Sequence, residues 1–534
     1  MRYSGMLRTF SIAPLLFAIN ACTTLGPDFE TPQADLDNTW LTEGAAGDAQ
    51  TGAAERIEQW WSVFNDPVLN RLIEEGYRQN LPLQVSGLRI LEARAQLGIA
   101  IGQQYPQQQQ AFGDLSRVGL SENSPNFNKA ADDTYNQASI GLEAAWELDF
   151  WGRFRRGVES ADASLRASIA DYDNALVSLT AEIASAYLTM RTIEERVQIA
   201  RQNVKTQQDS FRIADVRYRN GAVSELDPAQ ARYLLFSTES TVPDLEGQLR
   251  QTKNAISILL GLTPGQLDSI LDGESGRIPE PPQTLNLGVP ADLLRRRPDI
   301  RQAELQAAAQ SALVGVAETD LYPRLALLGS VGLFSGDTGN TSLGDLFESD
   351  SLTYNYGPQA SWAILNYGRI KNQVRVQDAR LEELLVNYRN TVLQAAREVE
   401  DGIASFVGAR DRTAFLKQAE ASAQRAVDLA LIQYREGAVD YQRVLDTQRA
   451  LLDLQDQHTS SRGDVVRSLV STYRALGGGW EIRAGNDFVP EEIQERMEQR
   501  TDWGGLLGER KTTDELPATP PTGREQPLFN SPDW

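Results

Sequence analysis

Cysteine and histidine are almost missing from this chain: Cys22 and His458 are the only ones in 534 residues. That removes most metal sites, thiol chemistry and histidine acid–base catalysis, because each needs several such side chains converging on one point. Long apolar runs are missing too. No stretch of 18 or more apolar residues occurs, so no helix of the spanning kind is expected. Positive charge is scarce, with 51 Lys and Arg against 73 Asp and Glu and a net charge of −22. A nucleic-acid or anionic-lipid surface is therefore excluded as the main partner. No GxxxxGK[ST] phosphate loop is present, so the chain supplies no nucleotide-driven work. Proline is absent from Gly152 to Asp227 and from Gln359 to Val489, which leaves both stretches free to be uninterrupted helix.

What is present begins with an address. Arg2 and Arg8 precede an apolar segment from Phe10 to Ile19, the pattern of a signal peptide. Ile19-Asn20-Ala21-Cys22 then has the form of a bacterial lipobox, so Cys22 is expected to be acylated as the first mature residue. The competing reading is a plain signal peptide with a chance cysteine. Thr23, where an Asp would favour retention in the inner membrane, points to the outer membrane. Acyl chains contribute about 0.8 kcal/mol per buried CH₂ and anchor the chain without forming a pore.

The chain repeats itself. WELDFWGR from Trp146 is matched by WAILNYGR from Trp362, and YRNGAVS from Tyr218 by YREGAVD from Tyr434, both at an offset of 216 residues. Upstream, the segments ending at Pro106 and Pro323 match at 217. A constant offset marks a tandem duplication. Between the motifs, apolar residues recur at alternating spacings of four and three. In the first copy they run from Tyr172 through Ile183 and Val197 to Ala214 and Tyr218, broken only at Gln207. In the second they run from Tyr388 through Val399 and Val427 to Tyr434, broken at Thr413 and Glu420. Such a seam predicts coiled-coil helices, about 100 Å long at 1.5 Å per residue. Gly221 and Gly437 end each helix before a return arm, which gives two antiparallel hairpins with tips at 218–224 and 434–440.

Ahead of each long helix the period changes to two. Ile140, Leu142, Ala144, Trp146, Leu148 and Phe150 alternate with Gly141, Glu143, Ala145, Glu147 and Asp149, as in a membrane β-strand. Residues 354–364 repeat this pattern, Leu325 to Leu333 form a weaker strand and Phe112 to Leu120 a fourth. The other reading is an ordinary half-buried soluble sheet. Four strands cannot close a barrel, and unpaired backbone is not tolerated in lipid. Three copies would supply twelve strands. The expected fold is a mixed membrane β-barrel plus a long α-helical coiled-coil barrel, built from a tandem-duplicated protomer.

The chain also resembles the outer-membrane factor family, the TolC-type channels, in its lipoprotein branch serving drug efflux. The resemblance rests on CTTLGPDFETP (22–32), WWSVFNDPVLNRLI (60–73), WELDFWGR (146–153) and LLGLTPG (259–265), then on LLRRRPDIRQAE (293–304), YREGAVDYQRVLDTQRALL (434–452) and YRALGGGW (473–480). It implies a homotrimer in the outer membrane, a periplasmic adaptor (membrane fusion) protein, an inner-membrane transporter of RND type, no cofactor and no enzymatic activity. It further implies that the tips meet the adaptor through Arg219, Gly221, Ala222, Val223, Gly437, Ala438 and Val439. Asp446 would line a periplasmic constriction as an anionic ring. Gln442 stands where the family often has an apolar residue, which leaves a second ring open. Tyr434 and Arg435 would tie neighbouring helices shut, with seam packing as the other role for Tyr434. Asp227-Pro228 reads as a helix start, Arg295 to Arg297 as a solvated start of a helix rather than a phosphate site, and His458 as structural.

The expected divisions are a signal peptide (1–21), a lipidated N-terminus with a first equatorial helical segment (22–104) and a first strand pair (105–150). The first hairpin (151–262), an equatorial linker and helix (263–320) and a second strand pair (321–366) follow. The second hairpin (367–477) and a partly irregular tail (478–534) complete the chain. Export of small molecules through a passive duct gated at its periplasmic end is the leading function. Polypeptide secretion of type I, or a lipid-anchored coiled-coil scaffold without a pore, are the alternatives.

Overall fold

The computed structural model describes residues 24–32, 57–121, 123, 134–271, 276–282, 296–339 and 341–507. Cys22 lies outside them. The duplication is visible element by element. Helices α1 (Pro67–Gln79) and α2 (Leu81–Gly102) lead to strands β1 (Gln108–Gly119) and β2 (Thr134–Glu147). Helix α3 (Arg153–Arg219) follows, with a return arm of α4 (Leu226–Glu239) and α5 (Thr241–Leu259). The second copy has α6 (Pro298–Thr319), β3 (Arg324–Gly336), β4 (Leu352–Ser361), α7 (Arg369–Arg435) and α8 (Tyr441–Ala475), after which α9 (Glu491–Glu498) closes the described chain. Helices α3 and α7 are each 67 residues long and start 216 residues apart. No helix among the described residues is long and apolar enough to cross a membrane.

The return arms differ for a local reason. Pro243 has no N–H to give to the turn before it, so the first arm breaks at Ser240. Thr459 stands 216 residues later, and α8 runs through without a break. Both long helices start after a glycine with positive φ, Gly152 (79°) and Gly368 (83°), and an added Cβ on Gly152 would sit 2.7 Å from Thr24. The N-terminal segment therefore lies against the junction of β2 and α3. Leu25 N–H donates to the Trp151 carbonyl at 3.1 Å, and the buried Arg156 guanidinium donates to the Leu25 and Gly26 carbonyls, Asp28 and Glu159.

The four strands form one antiparallel sheet in the order β1-β2-β3-β4. Its register aligns Ala111, Leu142, Val331 and Tyr354 in one row and Gln110, Glu143, Ser330 and Asn355 in the next. Directly paired residues share a face, so one face is apolar and the other polar. Two strand ends differ from the sequence expectation. β2 stops at Glu147, because the Asp149 carboxylate turns to accept from the Phe154 and Arg155 N–H groups and caps α3. β4 stops at Ser361, and Trp362 instead donates its indole N–H to the Leu321 carbonyl at 2.9 Å. Trp146 does the same to Gln104 at 3.2 Å.

The largest core joins α1, α2, α3, α7 and α8 around Trp60, Leu72, Ile183, Tyr187, Phe406 and Leu469. Residues 481–507 pack into it, largely irregular apart from the short helix α9. Phe488, Val489 and Met497 are buried there, and Arg483 grips both oxygens of the buried Asp173. Arg297 is likewise not solvated: it pairs with Asp299 (2.8 Å) and Glu398 (2.9 Å) and donates to the Ala475 carbonyl. These partners raise its pKa despite desolvation by burial.

The seam breaks seen in the sequence are polar pairs across the second hairpin. Thr413 meets Ser461 at 2.7 Å, and Glu420 meets His458. In the first copy, Gln207 is buried rather than turned out. With Ser210, Thr238 and Gln448 it forms a polar layer between one apolar cluster around Val197 and Leu245 and another around Ala214, Leu234 and Tyr441. Gln448 donates to Ser210 at 2.7 Å, while Gln207 Oε1, Gln448 Oε1 and Thr238 Oγ1 are buried without partners.

Two outcomes are expected. Arg483→Met removes the two charge-assisted bonds to the buried Asp173 carboxylate and should cost about 3–5 kcal/mol, read as a lower thermal midpoint that the added change Asp173→Leu largely restores. Thr238→Val removes an unpartnered buried hydroxyl at nearly constant shape and should stabilise the end of the hairpins by about 1 kcal/mol. Slower amide exchange in α4 and at the end of α3 would show it.

Candidate functional site

The far ends of the two hairpins are built alike. After α3, Gly221 (φ 72°) lets its own N–H reach the Tyr218 carbonyl and that of Ala222 reach Arg217. After α7, Gly437 (φ 77°) does the same, with Gly437 on Tyr434 and Ala438 on Gln433. Both are Schellman caps, which satisfy the last carbonyls through a left-handed residue that glycine adopts most cheaply. Asp440 then caps α8 by accepting from the Arg443 N–H. Leu226 takes a bond from its N–H to Ser224 Oγ at 3.3 Å. Gly221, Ala222, Gly437 and Ala438 lie exposed at the tips, with Val223 and Val439 half-buried beside them. Arg219 points outward and pairs with Asp215 at 2.8 Å.

Immediately behind the tips the two hairpins are tied together. Tyr434 is 1% exposed, and its hydroxyl donates to Asp227 Oδ2 at 2.8 Å. Its ring packs edge-on to Tyr441 at 5.2 Å. The Arg217 guanidinium lies over the Tyr434 ring at 4.8 Å and donates to the carbonyls of Tyr434 and Arg435. Burial, and then the bond to Asp227, push the Tyr434 pKa well above its ordinary value. The phenol therefore stays a donor and the carboxylate its acceptor. Tyr434 is thus both packed in the seam and bonded to the neighbouring hairpin.

The sequence reading undervalued two members of this cluster. Asp227 does lie in the first turn of α4, yet its carboxylate serves Tyr434. Arg217 lies one residue before the expected tip at 218–224 and was not expected to clamp. The signal was available in the repeat. Tyr218 and Tyr434 are equivalent by offset, yet Tyr218 is 41% exposed. Asp227 has Arg443 as its equivalent, so the first tyrosine has no carboxylate to meet. The Arg435 side chain is exposed, and only its carbonyl enters the cluster.

Gln442 and Asp446 occupy a separate, exposed face of α8 one turn apart. Gln442 donates to Asp446 Oδ1 at 2.8 Å and accepts from Gln230 of α4 at 3.0 Å. Asp446 is therefore an exposed, oriented carboxylate about two turns behind the tip. No group of side chains able to hold a metal occurs among the described residues.

A family model described as outer membrane efflux protein matches residues 72–262 and 289–478, one match for each copy of the repeat. The pyoverdine export outer membrane protein OpmQ of Pseudomonas aeruginosa is 33% identical over 477 residues, covering 87% of this chain and 97% of that one. The probable outer membrane lipoprotein SilC of Salmonella typhimurium is 29% identical over 490 residues, 89% of this chain and 99% of that one. Among solved structures, the outer-membrane channel OprN superposes with a TM-score of 0.77 at 31% identity, over 86% of this chain and 99% of that one. The four strands and paired long helices are the protomer architecture of such channels, in which three copies close one barrel. By sequence in both repeats and by fold over most of its length, the chain belongs to the outer membrane efflux protein family.

Proposed function

We propose that this protein is the passive exit duct of a tripartite efflux system, held shut at its periplasmic tips and opened by an adaptor and an RND-type inner-membrane transporter. Small molecules are the cargo, in keeping with the pyoverdine export for which OpmQ is named. The observation that carries the reading is the joining of two features in one chain: a sheet with an apolar and a polar face, and hairpins whose tips are tied by Tyr434, Asp227 and Arg217. The apolar face is exposed at Leu142, Val331 and Tyr354, which suits lipid and not a soluble scaffold. Asp446, with Gln442 beside it, lines the narrowest point, and three copies give an anionic ring. The glycine tips with Arg219, Ala222, Val223, Ala438 and Val439 receive the adaptor. Cys22 carries the acyl anchor, for the segment that follows it is tied to the strand–helix junction at Trp151, where the membrane surface must lie.

Planar-bilayer recording on protein whose mass is checked by native mass spectrometry tests the whole reading. A trimer with small, cation-selective, mostly closed currents is expected; a monomer without conductance would refute it. Within that assay, Tyr434→Phe with Arg217→Ala should raise the open fraction at least tenfold. Tenfold is the equivalent of about 1.4 kcal/mol, less than the ~1.5–3 kcal/mol of even one of the three hydrogen bonds to a charged group that the trimer loses. Asp446→Asn should weaken cation preference without changing assembly, and unaltered selectivity would remove it from the constriction. Cys22→Ser should abolish acylation, seen as a mass decrease in the mature chain.

A further inference from the structure

The polar face of the sheet carries a charge that the tip does not account for. Glu143 lies in the row Gln110–Glu143–Ser330–Asn355, next to the lipid-facing row Ala111–Leu142–Val331–Tyr354. It is three residues from Trp146, roughly 10 Å along the strand, and so within the apolar band rather than at its rim. Paired residues share a face, and successive residues alternate. Once the sheet closes with its apolar face outward, Glu143 must point into the lumen. Gln110, its neighbour in the same row, donates its side-chain N–H to Glu143 Oε1. The other charged residues on this face of the described strands are Asp114, Glu147 and Arg324. Arg324 sits at the first residue of β3, bound to Asp320, and cannot neutralise Glu143.

We propose that Glu143 is a second charge filter of the duct. Three copies form a carboxylate ring inside the membrane barrel, in series with the tips, and weight passage toward cations and cationic cargo. This rests on the duct reading above. A twelve-stranded barrel tilted by about 40° has a Cα radius of roughly 12 Å, and a glutamate reaches about 5 Å inward. The ring then stands roughly 7 Å from the axis, inside the Debye length of about 8–10 Å at physiological salt and outside the ~3 Å of 1 M salt. The filter therefore acts at low ionic strength and vanishes at high.

The experiment is the reversal potential across a tenfold KCl gradient, measured in trimers opened by Tyr434→Phe, Arg217→Ala and Asp446→Asn so that the tip no longer sets the selectivity. Glu143→Gln keeps the size of the side chain. Centred near 0.1 M, it should lower the potassium-to-chloride permeability ratio at least twofold, and near 1 M leave it unchanged, following the Debye length. Ser330→Lys, which places a cation beside Glu143 without altering it, should do the same and serves if the glutamine variant fails to assemble. A conducting trimer whose low-salt ratio is unmoved by either change overturns the filter but leaves the duct intact. A trimer of correct mass that never conducts overturns the duct itself.

Discussion

Along β1 and β4 the sheet of this protomer has two edges whose backbone N–H and C=O groups face no further strand among the described residues. In water such edges are a liability, and in hydrocarbon each unpaired group costs several kcal/mol. The apolar row through Leu142, Val331 and Tyr354 is exposed all the same, so the sheet is made for lipid and cannot enter it alone. Because β1 and β4 run in opposite directions, the β4 edge of one copy meets the β1 edge of the next as an ordinary antiparallel pair, and three copies close twelve strands. The rest follows from that closure. Each protomer can fill only a third of the ring, its long helices must continue the same wall, and the lumen residues acquire threefold copies.

Duplication supplies the wall, and divergence between the copies supplies the tie. Both copies have the 67-residue helix, the glycine cap and the tyrosine just before it. A symmetric pair of ties would need a carboxylate opposite each tyrosine. Asp227 meets Tyr434 at 2.8 Å, whereas the place opposite Tyr218 belongs to Arg443 by the repeat offset, and Tyr218 stays exposed. One tie per protomer joins the hairpins to each other, and the exposed half of each tip remains available to an incoming partner. Pro243 adds a second difference: it interrupts only the first return arm, close to the polar layer of Gln207, Thr238 and Gln448.

The architecture was legible in the sequence because its signals are periodic and long. A seam sustained from Tyr172 to Ala214, strands of period two and motifs at a fixed offset each average over many residues. Single-residue chemistry was less legible. Asp149 continues the odd, polar face of β2 by pattern, but its carboxylate was free to turn and cap α3, and the strand ends two residues earlier. Arg297 carries no mark that separates a solvated cation from one held in place, since of its partners only Asp299 is local and Glu398 and the end of α8 come from distant stretches of chain. Gln207 looked like a break in the seam because periodicity grades polarity and not burial. Asp227 had a sufficient local explanation as a helix start, which hid its long-range bond.

The proposed tie also has a strength suited to a duct that does no work of its own. A hydrogen bond to a carboxylate contributes about 1.5–3 kcal/mol, so three such bonds bias the closed state by roughly 5–9 kcal/mol in the trimer. Reversing a 99:1 population takes about 5.5 kcal/mol of differential binding, which an adaptor contacting three pairs of tips can supply. A wholly apolar seam behind the tips would make opening far more costly. If the hairpins part as proposed, the buried but unpartnered oxygens of Gln207, Thr238 and Gln448 would lower that cost by gaining hydrogen bonds to water. In the proposed gate the layer and the tie would then act in opposite senses on one equilibrium, and both lie on the face where the two hairpins of a protomer meet.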